Sequence, residues 1–227
     1  MKATETFIVD LERLERQGAD ANLAIRLMRA ADDIALAHWG LRHFTGKQPR
    51  MEGHVQLGAR RYFVRLQCGH LVEAMKLIAE VQASPRFLTL LAHCEPFARE
   101  AFARLLNYLP GAPMKSEFDT RIKSIRNKAA FHYDRKMVGA ALESRASRPQ
   151  SRISSITRAS EASMWRSGVA DDIEDTILCR FLWHIPMEAD VREEANKILD
   201  FASSLCRDYV DVTGELTFRF MRDTATA

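Results

Sequence analysis

Residues 52–82 read EGHVQLGARRYFVRLQCGHLVEAMKLIAEVQ, and this stretch decides the fold class. A stripe of mainly apolar residues recurs in it at intervals of three and four. The stripe comprises Val55, Ala59, Tyr62, Leu66, Gly69, Val72, Lys76 and Ala79, with Phe63, Leu77 and Ile78 beside it. Positions with this spacing share one face of an α-helix, whereas a half-buried strand alternates at every second residue. The stretch therefore predicts a long helix with one face in the core.

The rest of the chain has the same helical character. Further helices are predicted over residues 5–17, 20–45, 85–108, 116–142, 170–184 and 188–214. Pro96 should kink or divide the helix at 85–108, because proline lacks the N–H that a helix interior uses. The segment LPGAPMK at 109–115 predicts a loop, and the tail ELTFRFMRDTATA is compatible with a short strand or more helix. We expect an all-α bundle of long helices forming a single domain over residues 1–227.

Composition excludes several classes of protein. The 227 residues are 47% hydrophobic and 28% charged, with a net charge of +3, which is ordinary for a soluble globular protein. No apolar run is long enough to span a membrane or to act as a signal peptide, so we expect a cytoplasmic protein without membrane contact. The four cysteines form no C-x-x-C pair, which argues against zinc and favours buried free thiols. We therefore predict neither a metal site nor a cofactor.

Residues 125–134, IRNKAAFHYD, carry the chemistry that the sequence offers. The guanidinium of Arg126 can bind a phosphate through two hydrogen bonds, and Asn127 can donate to a phosphate or orient a hydroxyl. His132 can take or give a proton near neutral pH. Tyr133 adds a donor, and Asp134 could hold the histidine or the arginine in place. These residue types suffice for phosphodiester cleavage without a metal.

Arg126-Asn127 followed by His132 matches the R-x(4–6)-H motif, and the chain resembles the HEPN domain superfamily. That resemblance implies an all-α, homodimeric fold and a metal-independent endoribonuclease of a toxin–antitoxin or phage-defence system. The RNA 2′-hydroxyl would attack its own phosphate and leave a 2′,3′-cyclic phosphate and a 5′-hydroxyl. Carried over, His132 would be the general base or acid, Arg126 would stabilise the phosphorane and Asn127 would position the phosphate. The remaining motif residues predicted to contact the substrate are Lys128, Tyr133 and Asp134.

Other interpretations of the same residues stand beside this one. The chain could be a non-catalytic HEPN-like module that binds a nucleotide, RNA or a protein partner such as an antitoxin. It could also be a purely structural bundle, with Arg126 paired to Glu117, Asp119 or Asp134. An unbroken helix sets Arg126 and His132 roughly 120° apart around the axis and about 9 Å apart along it. Their convergence therefore needs a distorted helix or a second copy of the chain across a twofold axis.

Three further features of the sequence carry weaker functional signals. The Ser/Arg-rich segment at 144–163, with Trp165 just beyond it, predicts a flexible loop that is either a phosphate-binding arm or a solvated surface. The acidic run Asp171, Asp172, Glu174 and Asp175 is interpreted as helix capping, although it could also neutralise a motif arginine. His38, His43, His54 and His70 lack the spacing of a helix-borne metal site and are interpreted as core-edge histidines.

Overall fold

The computed structural model describes residue 6 and residues 8–45, 53–130, 135–157 and 166–225. Its α-helices are α1 (Leu11–Glu15), α2 (Ala19–Thr45), α3 (Gly53–Ala83), α4 (Pro85–Ala92), α5 (Pro96–Leu106), α6 (Lys115–Phe118), α7 (Arg135–Ala146), α8 (Gly168–Thr176) and α9 (Val191–Ala225). The long helices confirm the all-α prediction. Within the described ranges, no helix combines the length and the apolar sequence that a membrane crossing requires.

Shorter elements interrupt the helices. Three segments are π-helical, namely π1 (Asp119–Lys123), π2 (Arg126–Ala130) and π3 (Ile177–Leu182), and a 3₁₀ turn covers Pro149–Ser151. The strands β1 (Ile156–Thr157) and β2 (Arg166–Ser167) pair antiparallel, with Ile156 opposite Ser167. The sequence did not predict this pair, of which the described residues show two on each side.

Local sequence explains where two of the helices begin. The side chain of Ser84 accepts a hydrogen bond from the backbone N–H of Phe87 and caps α4, and Pro85 occupies the first helical turn. α4 ends at Ala92, and α5 begins at Pro96 after a short turn. The predicted division of the 85–108 helix at Pro96 is therefore present.

The last helix is longer than predicted. α9 does not end at Gly214 but continues to Ala225, so the tail is helical. Leu216, Phe220 and Met221 lie beyond that glycine and are buried. Burying such side chains stabilises the helix by about 1.5–3 kcal/mol each, which outweighs the roughly 1 kcal/mol cost of a glycine in a helix interior.

The chain divides into two compact units. Unit 1 holds the described residues of Met1–Leu36, His70–Lys115 and Ser204–Ala227, and unit 2 holds those of Ala37–Gly69 and Ser116–Ser203. The single-domain prediction stays a prediction.

The core of unit 1 is built around aromatic side chains of α4 and α9. The Phe87 and Phe220 rings stack with their centroids 5.4 Å apart, and the Arg86 guanidinium lies 5.1 Å from the Phe220 centroid. Tyr209 is fully buried, and its hydroxyl donates to the Leu27 carbonyl over 3.5 Å. The helices of this unit are therefore held by both apolar packing and a buried polar contact.

Unit 2 contains a close contact between α2 and α3 at Gly40. A β-carbon built on Gly40 would lie 2.3 Å from Cε1 of Phe63, so only glycine leaves room for this ring. The Phe63 ring stacks on Phe44 at 5.6 Å and meets the edge of Tyr62 at 5.2 Å. The missing side chain at position 40 thus allows an aromatic cluster to pack against α2.

Candidate functional site

The helical run that carries Arg126 is anchored in unit 2 by its apolar face. Phe118, Ile122 and Ile125 are buried, and the two isoleucines are completely inaccessible. Arg126 follows the last of these anchors directly and is half-buried, whereas Asn127 and Lys128 are exposed. Packing of the apolar face therefore places the three polar residues at the accessible edge of the helix.

The helix is distorted where the motif lies. π1 and π2 replace regular α-helical turns at Asp119–Lys123 and Arg126–Ala130. Two side chains accompany the distortion, because the Ser124 hydroxyl donates to the Thr120 carbonyl over 2.5 Å and the Trp183 indole donates to the Arg121 carbonyl over 3.2 Å. Donors inserted beside helix carbonyls are a recognised cause of such distortion, and π-helical turns occur frequently at functional sites. The angles computed for an unbroken helix do not apply here.

The residues of π2, called the motif turn below, bring two predicted site residues into contact. Nη1 of Arg126 donates to Oδ1 of Asn127 over 3.1 Å. This bond leaves the amide N–H₂ of Asn127 on the exposed side chain as a donor for another group. The motif turn can therefore offer a guanidinium, an amide and the Lys128 ammonium to an anion.

The predicted proton-transfer residue falls outside the described part of the chain. His132, Tyr133 and Asp134 all lie in residues 131–134, so their predicted roles stay predictions. Two carboxylates suggested as partners of Arg126 contact other cations in the described residues. Glu117 pairs with Arg121 over 3.2 Å, and Asp119 lies 3.6 Å from Lys123.

A second feature of unit 2 was not predicted from the sequence. A cavity of about 840 Å³ opens between α3, α7, α8, π3 and the first turns of α9. Arginines are its most frequent charged residue: Arg60, Arg61, Arg145, Arg148, Arg180 and Arg192 line it, against the single carboxylate of Asp175. We call this space the arginine cavity. Arg126, Asn127 and Lys128 are not among the described residues that line it.

The arginines of the cavity differ in their partners. Arg61 makes a two-pronged contact with Asp175, at 2.6 Å for both nitrogen–oxygen pairs, and Arg145 pairs with Asp172 at 3.2 Å. Arg180 donates to the backbone carbonyls of Ile185 and Pro186.

The other three arginines of the cavity lack a carboxylate partner among the described residues. Arg148 donates to the Ser144 hydroxyl over 2.8 Å, and no carboxylate of the described chain lies within ion-pair distance of Arg60, Arg148 or Arg192. Together with Arg180, whose partners are neutral carbonyls, they leave four positive charges in one cavity that no described carboxylate balances.

Part of the lining of the arginine cavity is apolar and is called the apolar wall below. Trp183, Met187 and Leu199 line it, and the hydrogen bond from Trp183 to Arg121 fixes the plane of the indole. His184 follows with a φ of 53°, a left-handed conformation that non-glycine residues rarely adopt. Ile185 then donates from its backbone N–H to the Cys179 carbonyl over 2.8 Å, which closes the end of π3.

The acidic run at the start of α8 serves as an ionic contact to α3. Besides Asp175, Asp171 lies 3.1 Å from Nη1 of Arg61, and Glu174 lies 2.7 Å from Nη1 of Arg65. Nη1 of Arg61 and Oε1 of Glu174 lack hydrogen-bond geometry, so these two contacts are mainly Coulombic. The helix cap itself is Ser167, whose hydroxyl accepts from the Ala170 N–H over 3.3 Å. Asp171 does lie in the first turn of α8, where a negative charge is favourable, but the run also makes ion pairs with α3.

This charge cluster changes the acidity of Glu174. Burial disfavours the ionised carboxylate and raises the pKa of Glu174 above its usual value of 4.5, although Arg65 and Arg61 oppose the shift. Burial also lowers the pKa of Arg61, but the hydrogen bond to Asp175 and the charges of the acidic run together outweigh burial, so the net shift is upward. The cluster thus holds its cations firmly, while one of its carboxylates resists ionisation.

The histidines noted in the sequence have separate surroundings. Nδ1 of His38 lies 3.3 Å from Gln67, His43 stacks on Trp39 at 5.4 Å, and His70 lies 3.8 Å from Asp33. The side chain of His54 lies outside the described residues. Among the described residues, no group of three potential ligands is placed to hold a metal ion.

Residues 144–157 of the Ser/Arg-rich segment lie in the described part of the chain and contain regular structure. α7 extends to Ala146, and the 3₁₀ turn and β1 follow before residue 158. Arg145 and Arg148 face the arginine cavity, whereas Trp165 lies outside the described residues. The sequence placed these two arginines in a flexible arm because nothing in the local pattern links them to α3 or α9.

Comparison of the chain with protein-family models, with curated proteins and with solved structures found no match.

Proposed function

We propose that this protein is a HEPN-like, metal-independent endoribonuclease that binds RNA at the motif turn. The observation that carries the proposal is the pairing of Arg126 and Asn127 at the accessible edge of a π-helical turn. A guanidinium held beside an amide supplies charge-assisted donors for a phosphate, and such donors stabilise the charge that develops during phosphodiester cleavage. The proton transfer belongs to His132 by the motif resemblance.

The reaction would use the RNA's own 2′-hydroxyl. His132 would take the proton of this hydroxyl as its oxygen attacks the adjacent phosphorus, and Arg126 would stabilise the charge on the non-bridging oxygens. The bond to the 5′-oxygen would then break, and that oxygen would receive a proton. The products are a 2′,3′-cyclic phosphate and a 5′-hydroxyl, and no metal is required.

The assay uses purified full-length protein, excess EDTA and a labelled single-stranded RNA. We expect cleavage by the wild type, a loss of at least 100-fold in rate for Arg126→Ala and His132→Ala, and no cleavage of the matching DNA, which lacks the 2′-hydroxyl. Arg29→Ala serves as the control, since Arg29 is an exposed arginine in unit 1. If the wild type and all variants leave the RNA equally intact, the enzyme proposal fails.

A non-catalytic RNA-binding module is the second candidate. It requires only the phosphate-binding groups that Arg126, Asn127 and Lys128 can supply, and no proton transfer. RNA binding that weakens with salt and with Arg126→Ala, without cleavage, would identify this candidate. A purely structural bundle would show neither binding nor cleavage.

The proposal extends to the oligomeric state and the cellular role of the protein. A cytoplasmic homodimer that acts as a toxin or phage-defence effector, restrained by an antitoxin or another protein, follows from the HEPN resemblance. Induced expression in bacteria should then arrest growth, and Arg126→Ala should relieve the arrest at an equal protein level. Growth that is unaffected by the wild type at that level would contradict this role.

A further inference from the structure

We propose that the arginine cavity binds a small organic polyphosphate, that is, a ligand with several phosphate groups joined to a planar or apolar group. This site is separate from the motif turn, and the inference does not rest on ribonuclease activity. Its grounds are the charge of the cavity, its size and the presence of apolar as well as charged residues in its lining.

The charge of the cavity calls for an anion. Arg60, Arg148, Arg180 and Arg192 line one space without a described carboxylate partner, and the single carboxylate of the lining is already bound by Arg61 on both oxygens. Like charges that line one cavity repel each other. A ligand with one or two negative charges would neutralise only part of the positive charge of the four arginines. A di- or triphosphate chain carries enough negative charge to balance most of it.

The arginines that line the cavity come from separate elements of unit 2. Arg60 lies on α3, Arg148 follows α7, Arg180 lies on π3 and Arg192 lies on the first turn of α9. Four guanidinium groups carried by different elements suit a chain of phosphates, because a guanidinium can donate hydrogen bonds to two phosphate oxygens. Arg180 is already oriented by the Ile185 and Pro186 carbonyls, so little of its conformational freedom remains to be lost on binding.

The cavity volume and the apolar wall indicate that the ligand carries a planar or apolar group besides its phosphates. A cavity of about 840 Å³ lies within the range of small-molecule and cofactor sites. Trp183, Met187 and Leu199 form a face on which a planar group can rest, and the Trp183 ring is held by its bond to Arg121. An aromatic ring stacked on an indole is a favourable contact. A nucleoside triphosphate has both parts and is a suitable probe.

The experiment is calorimetric titration of the full-length protein at low and moderate salt with ATP, AMP, adenosine and inorganic triphosphate. We expect ATP to bind most tightly, AMP at least tenfold more weakly and adenosine without measurable heat. Inorganic triphosphate should bind more weakly than ATP, because it cannot use the apolar wall. Equal affinity for AMP and ATP would overturn the proposal.

Variants of the lining arginines test whether ATP binds in the arginine cavity. Arg60→Gln and Arg192→Gln should each weaken ATP binding at least tenfold, whereas Arg29→Gln, the same change in unit 1, should leave it unaltered. Arg60→Lys keeps the charge and should retain part of the affinity, which separates a binding role from a folding defect. Unchanged affinity in both glutamine variants, with native circular dichroism, would show that ATP does not occupy this cavity.

A macromolecular ligand gives a different result. If a 5′-hydroxyl RNA oligomer displaces ATP at the concentration where it binds the motif turn, the cavity belongs to an RNA path and the small-ligand proposal fails. The two proposals separate cleanly, since Arg126→Ala should leave ATP binding unchanged and Arg192→Gln should leave RNA cleavage without ATP unchanged.

Discussion

The indole Nε1 of Trp183 donates a hydrogen bond to the backbone carbonyl of Arg121 over 3.2 Å. Trp183 lines the arginine cavity, and Arg121 belongs to π1, one turn before the motif turn. The bond therefore ties a wall of the cavity to the helix that carries the candidate catalytic arginine. The Arg121 side chain adds to this joint, since its guanidinium lies 5.4 Å from the centroid of the Phe201 ring.

Trp183→Phe should destabilise the protein by about 1–2 kcal/mol, because it leaves the Arg121 carbonyl without this donor and removes part of a half-buried ring. Urea unfolding followed by circular dichroism measures the difference. Trp39→Phe is the control, because Trp39 is 63% exposed. Equal unfolding free energies for Trp183→Phe and the wild type would mean that the hydrogen bond contributes nothing.

Gly40→Ala should lower the free energy of unfolding by about 1–2 kcal/mol, since the new methyl group displaces the Phe63 ring from its contacts. Gly214→Ala is the matched control: it lies within α9, and a β-carbon there meets no other atom within 4 Å. We expect this second change to stabilise the protein by about 0.5–1 kcal/mol through helix propensity alone. Denaturant midpoints that shift in the same direction for both would contradict the close contact of α2 and α3.

Glu174→Gln should remove a component of the pH dependence of stability. The folded state raises the pKa of Glu174 above the 4.5 of an exposed glutamate, so it holds the proton more tightly than the unfolded chain does. The stabilisation from this group is present below pH 4.5 and is lost as the pH rises through the folded pKa.

Unfolding free energies of the wild type and Glu174→Gln, measured in steps from pH 4.5 to 7.5, test this expectation. The wild type should lose stability relative to the variant as the pH rises. Glu188→Gln is the control, because Glu188 is exposed. Parallel pH profiles for Glu174→Gln and the wild type would refute the burial effect.

A mixture of Arg126→Ala and His132→Ala proteins should recover ribonuclease activity if the site is composite across a homodimer. In a mixed dimer, one site takes Arg126 and His132 from different subunits and is intact, so random mixing restores about a quarter of the wild-type rate. Neither variant alone should cleave RNA. An inactive mixture, from variants shown by light scattering to exchange subunits, would place both residues in one subunit.

The sequence predicted the helices better than it predicted their ends. Apolar periodicity located α2 and α3, and Pro96 marked the start of α5, because both signals act within a few residues. The end of α9 was missed, since the burial of Phe220 is a tertiary effect that a local rule about Gly214 does not contain.

The two candidate sites also differ in whether a local pattern of the sequence could reveal them. The motif turn was found because Arg126 and Asn127 are adjacent in the sequence. The arginine cavity was missed because its lining extends from Arg60 to Leu199, and only folding brings these residues together. The doublet Arg60-Arg61, on a helix whose partner α8 begins with acidic residues, is the one local signal that could have indicated it.

Each unit contains two buried cysteine thiols, and their alkylation reports when that unit opens. Cys94 and Cys206 belong to unit 1, Cys68 and Cys179 to unit 2, and all four are buried thiols outside any disulfide of the described residues. Burial raises the pKa of Cys94 and of Cys179 to about 11, so the native protein presents little thiolate to an alkylating reagent. Labelling followed by peptide mass spectrometry can therefore time the exposure of the two halves independently, without any engineered probe.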